Sequence, residues 1–118
     1  MSAMINSEQR QQLHQFLILD LAIRSLQHDY KVIEKAKMKS VFIPILDSLL
    51  KNLQSEYFNL KRVLSKQKIR IIEWKHIDSH FSDIYFTTAG EDQSLRYANQ
   101  ALKTTVEQEL FNRMNASK

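Results

Sequence analysis

An α+β domain, mainly helical and built in the order α-α-β-β-α, is predicted by three features of the 118-residue sequence. Two long stretches place apolar residues at the steps of a helix. A later stretch turns to β-branched and aromatic residues, and glycine and proline occur once each, as Gly90 and Pro44. All-β and doubly wound folds need many turn glycines, so helix must dominate. The length suits one domain, spanning residues 1–118.

In the first stretch Phe16, Leu19, Ile23, Leu26, Tyr30 and Ile33 recur at steps of 3, 4, 3, 4 and 3, which is a heptad seam. Leu13, Leu17 and Leu21 broaden it into a stripe wide enough for two neighbours. Ser7, followed by Glu8, is the expected start, with Met4 and Ile5 placed to pack back on it. The predicted first helix covers about 8–36.

The apolar rhythm lapses in "KAKMKS", residues 35–40, and Pro44 then falls where a first helical turn tolerates a missing N–H. The connection is expected there. Leu46, Leu50, Leu53, Tyr57, Leu60 and Leu64 follow at steps of 4, 3, 4, 3 and 4, giving a second helix over about 44–66. So short a connection makes the pair a long antiparallel helical hairpin.

After Leu64 the run "KQKIRIIEWKHID" and the later "FSDIYFTT" carry the composition of strands, separated by Asp78, Ser79 and His80. A β-hairpin over about 69–88 is predicted, with Trp74 and Phe86 turned to the core. An isolated hairpin is marginal in water, so it must lie on the helices. Gly90 can supply a positive φ, and Glu91 and Asp92 an N-cap, for a C-terminal helix over about 92–114 packed by Leu95, Ala98, Leu102, Val106 and Leu110.

Several chemistries are excluded. Phosphate-cradling loops, dinucleotide fingerprints and the G-x-S-x-G elbow each need glycines that the chain lacks. With no cysteine there is no thiol nucleophile and no zinc ribbon. The longest apolar run, residues 41–46, is six residues and contains the proline, against the roughly 20 a membrane span needs. Nothing at the N-terminus resembles a signal peptide, and the expected compartment is the cytoplasm, with no membrane partner. No cofactor and no small-molecule substrate is indicated.

His76, Asp78 and His80 stand at i, i+2 and i+4, which in a regular strand puts all three on one face, and two imidazoles with a carboxylate suit zinc or non-haem iron. If the turn falls at 78–80, the alternation breaks and the three need not converge. Polar residues crowding an exposed turn is the plainer reading, and no catalytic residue is assigned.

Charge is uneven. Residues 1–30 carry two bases against three acids, residues 31–75 eleven against four, and residues 76–118 four against six. The bases of the middle third form two clusters: Lys31, Lys35, Lys37 and Lys39 around the connection, and Lys61, Arg62, Lys66, Lys68 and Arg70 at the far end of the second helix. Lysine and arginine in such clusters could displace counterions from nucleic acid. About 33 Å of helix separates them, however, and long helices with a turn-poor connection do not make a helix-turn-helix.

The expected function is a small non-enzymatic protein-interaction module that self-associates, as a homodimer, through its helices. Its motive is apolar surface beyond a single seam: Phe16, Leu17, Ile18 and Leu19 are consecutive, and Leu49-Leu50 and Tyr57-Phe58 are adjacent pairs. The alternative is a nucleic-acid-binding accessory or regulatory protein that uses the basic middle third.

Overall fold

The first helix begins where a side chain can take up its orphan N–H groups. In the computed structural model, which describes residues 5–116, that residue is Asn6 rather than Ser7. Its carboxamide accepts from Gln9 N at 2.8 Å while Gln9 Oε1 accepts from Asn6 N at 3.0 Å, a reciprocal capping box. Helix α1 then runs over Ser7–Ile33. Ile5 packs on the core beneath it; Met4 lies outside the described residues.

The second helix, α2, spans Lys39–Lys66 and so starts five residues earlier than expected. Pro44 is inside it. Proline removes one N–H and presses on the carbonyl four residues back, so Pro44 marks a weak second turn rather than the helix start. At the other end Gln67 closes α2, and Lys68 takes a left-handed φ of 62°, the conformation that turns a chain out of a helix.

Three strands follow: β1 (Ile69–His76), β2 (Phe81–Thr88) and β3 (Glu91–Ala98), paired antiparallel in the order β1-β2-β3. The third corrects the sequence reading, which gave residues 92–98 to the last helix. Its inward residues Gln93, Leu95 and Tyr97 alternate, and Leu95 also falls in step with Leu102 and Val106, so a helical and a strand pattern overlap. The turn decides between them. Ala89 and Gly90 both have positive φ, 51° and 85°, the type I′ pattern of a two-residue hairpin loop, with Thr88 paired to Glu91.

A β-bulge at Ile72 sets which side chains face inward. Ile71 pairs with Phe86 and Glu73 with Tyr85, so Ile72 is the extra residue. Beyond it the alternation is inverted, which turns Trp74 inward and Glu73 and Lys75 outward. Helix α3 completes the order over Asn99–Ala116.

α1 is shared by two adjoining cores. Its first half, through Leu13, Phe16 and Leu17, packs with Leu64, Ile69, Ile84 and Phe86; its second half, through Ile18, Leu19, Ala22, Ile23 and Leu26, packs with Leu49, Leu53, Leu102 and Val106. That explains the run Phe16-Leu17-Ile18-Leu19: α2, α3 and the sheet cover α1 from several sides, and all four are buried within one copy. Both cores lie away from the connection between α1 and α2. No residue from 27 to 48 is buried, and the molecule measures 57 × 31 × 20 Å.

Candidate functional site: the tip of the helical hairpin

The connection between α1 and α2 is held by backbone alone. Glu34 N donates to Tyr30 O, Lys35 N to Val32 O and Ala36 N to Ile33 O, and α2 opens at Met38 with no side-chain cap and no acid in its first turn. At the neck, the Tyr30 hydroxyl donates to the Asp47 carboxylate, a bond that raises the phenol's pKa above its ordinary value. Beyond that clamp lies the tip.

Met38, Phe42, Ile45, Leu49 and Leu53 follow one another at steps of 4, 3, 4 and 4, which places them on one face of α2. Leu49 and Leu53 are 7% and 0% exposed; Met38, Phe42 and Ile45 are 56%, 46% and 47% exposed. The apolar stripe therefore continues past the end of the body that would cover it. Val41 and, on α1, Val32 are exposed beside it. Lys31, Lys35, Lys37 and Lys39 surround these side chains in sequence, all exposed, and none forms an ion pair among the described residues. A basic, convex, apolar end results.

The second basic cluster stands at the opposite end of α2, about 33 Å away between Lys39 and Lys61 at 1.5 Å per residue. The two do not merge. Lys61, Lys68 and Arg70 border a groove of about 840 Å³ between β1 and the helices, which Asp20 and Glu73 also line. Arg62 bonds to Asn59, and Lys66 is exposed in the last turn of α2.

The structure does not bring His76, Asp78 and His80 to one face: His76 ends β1 and lines a cleft against α1 and α3, while Asp78 and His80 belong to the turn between β1 and β2. Asp78 Oδ1 accepts from His80 N and Phe81 N, each at 2.8 Å, and these bonds hold its carboxyl below the usual carboxylate range. Asn99 ties the turn to α3: its Nδ2 donates to Asp78 O at 2.9 Å and its N to His80 O at 2.8 Å. No group of three or more His, Asp or Glu among the described residues is placed to hold a metal ion.

Burial raises the pKa of the Tyr57 and Tyr97 phenols, while the remaining shifted groups are held in charged pairs. Arg96 bonds both oxygens of Asp83 across β2 and β3, at 2.7 and 3.0 Å, lowering the carboxyl's pKa, and its guanidinium lies 5.7 Å from the Phe81 ring. Burial works against the Arg113 charge, but bonds to Glu56 and Glu109 outweigh it and raise its pKa. A cleft of about 840 Å³ also lies between α1, α3 and the sheet, floored by Leu21, Trp74, Leu102 and Val106. Arg24 and Lys103 at its edge are matched by Asp29 and Glu107, so it favours neither sign of ligand.

The sequence reading placed the lysines of the tip correctly at the connection but missed its apolar members. The signal was present in "VFIPIL", an apolar run directly after four lysines, which a seam-based reading assigns to the core.

Residues 4–118 match the profile of the YhjD protein family. The chain belongs to that family. The description of the YhjD family names no activity, substrate or partner. No curated protein and no solved structure matches the chain. No helix of the described residues is long and apolar enough to cross a membrane.

Proposed function

We propose that this YhjD-family chain is a non-enzymatic interaction module whose working surface is the tip of the helical hairpin. The observation that carries the reading is the stripe on α2, covered at Leu49 and Leu53 and bare at Met38, Phe42 and Ile45. Apolar side chains grouped at one end, with a charged rim, mark a surface that meets something else. Among the ionisable groups with displaced pKa values, Asp78, Asp83 and Arg113 are engaged in a turn, a cross-strand pair and a helix-to-helix pair, and Tyr57 and Tyr97 are raised chiefly by burial, which supports a structural use of these groups rather than proton transfer.

The expected self-association changes its basis. Of the residues that motivated it, Phe16 to Leu19 and Leu49 are buried within one copy and Leu50 and Tyr57 are half-buried, while Phe58 stays exposed. Two tips meeting about a two-fold axis would set four lysines against four, which weighs against a tip-to-tip homodimer.

The test is a photo-cross-linking residue at position 42 of the full chain in its own cells, with position 55, an exposed point on α2, as control. The reading predicts adducts at 42 that are absent at 55. Equal labelling at the two positions would contradict it.

Nucleic-acid binding has one observation in its favour, the groove bordered by Lys61, Lys68 and Arg70. It predicts a complex with short DNA or RNA that weakens steeply between low and moderate salt and is lost when those three are neutralised.

A further inference from the structure

We infer that the tip docks on the surface of an anionic lipid bilayer, with Met38, Val41, Phe42 and Ile45 entering the interface and the surrounding lysines meeting the headgroups. This rests on the reading of the tip as the working surface and names what covers it. It departs from the expectation of no membrane partner, which concerned a spanning segment.

Three observations favour a bilayer over a folded socket. The first is charge: residues 30–46 hold Lys31, Lys35, Lys37 and Lys39 against Glu34 alone, without ion pairs to neutralise them among the described residues. Anionic headgroups are the complement of that sign, and polybasic segments beside apolar side chains are the two signals that together give stable peripheral attachment. The second is the N-terminus of α2, which has no side-chain cap and no acid in its first turn to offset the helix dipole, so the dipole adds positive potential at the same end. The third is shape. The exposed apolar residues sit at the end of a two-helix projection, where a deformable interface can accept them without a matching cavity.

The nearest acids behind the tip agree with a shallow insertion. Asp47, beside the Tyr30 hydroxyl at the neck, and Asp29 farther back on α1 would resist entry into an apolar layer, which limits the depth of insertion.

The experiment is flotation of the full chain with vesicles of phosphatidylcholine containing phosphatidylglycerol, and of phosphatidylcholine alone. The chain should float with the first and not the second, and less as salt rises. Each lysine of the tip neutralised, as in Lys35→Gln and Lys37→Gln, should weaken partitioning about fivefold. Phe42→Ser should weaken it about tenfold through lost apolar burial. Lys61→Gln with Lys66→Gln, at the far end of α2, should leave it unchanged. All these positions are exposed, so an unchanged urea midpoint and circular dichroism spectrum show that each variant is folded.

Failure to float with anionic vesicles overturns the inference. So does equal loss from the far-end control, or indifference to Phe42→Ser, which would reduce the binding to adsorption of a basic protein. If flotation fails while position 42 cross-links to a protein, the interaction module stands and its occupant is an acidic partner. If both fail, both readings fall.

Discussion

Leu53 and Phe42 lie on the same face of the same helix, yet one is inaccessible to solvent and the other is nearly half exposed. Around Leu53, α1, α2 and α3 close a core; around Phe42 the sheet and α3 have ended and only the two helices remain. The difference teaches that helical periodicity reports which face a chain intends for apolar contact, but not which partner supplies it. In the body the partner is the chain itself. At the tip no element of the described residues covers the stripe.

The largest expected effect breaks the body at its register. Inserting one alanine between Glu73 and Trp74 shifts the rest of β1 by one residue against β2, turning Trp74 and His76 outward and Lys75 inward, a buried charge with no partner. The loss should exceed about 5 kcal/mol, and urea unfolding should show no folded baseline. Next, Leu53→Ala should cost about 2–5 kcal/mol because it opens a cavity in a core, whereas Phe42→Ala should cost no more than about 0.5 kcal/mol. Equal costs in urea unfolding would mean that the tip is packed after all.

Acid provides a milder probe of the body. Arg96 depresses the Asp83 carboxyl in the folded chain, so its contribution is present above the unfolded value of about 3.9 and is lost as pH falls through the lower folded value. Thermal melts should show Asp83→Asn less stable than the parent at neutral pH, with the gap closing in strong acid. A change at the tip should leave that profile alone. The smallest effect is a gain: Ala89→Asn creates the Asn-Gly pair that a type I′ turn prefers, and should raise stability by about 0.5–1 kcal/mol by relieving a positive φ at alanine.

Much of the fold was legible because α1 and α2 carry long seams whose period no other structure explains. The limits arose where two rules competed. Residues 91–98 satisfy both a helical and an alternating pattern, and the alanine of the "AG" turn carries none of the usual hairpin preference, so β3 was read as helix. Pro44 favours a helix start, yet α2 begins at Lys39, since backbone bonds around residues 34–38 already close the turn. Asn6 took the cap because Gln9 stands three residues on and completes the box that Ser7 could not. Of the site, the lysines were visible as charge. Its apolar half was not, because only the three-dimensional end of the body separates a core leucine from an exposed phenylalanine on one stripe.

Hydrogen exchange on the full chain, free and with anionic vesicles, tests the central claim most directly. In the free chain, amides of Lys39 to Leu46 should exchange far faster than those of Leu49 to Leu64, and vesicles should slow the first set without altering the second. Uniform protection along α2 in the free chain, or slowing spread over the body and not the tip, would contradict it.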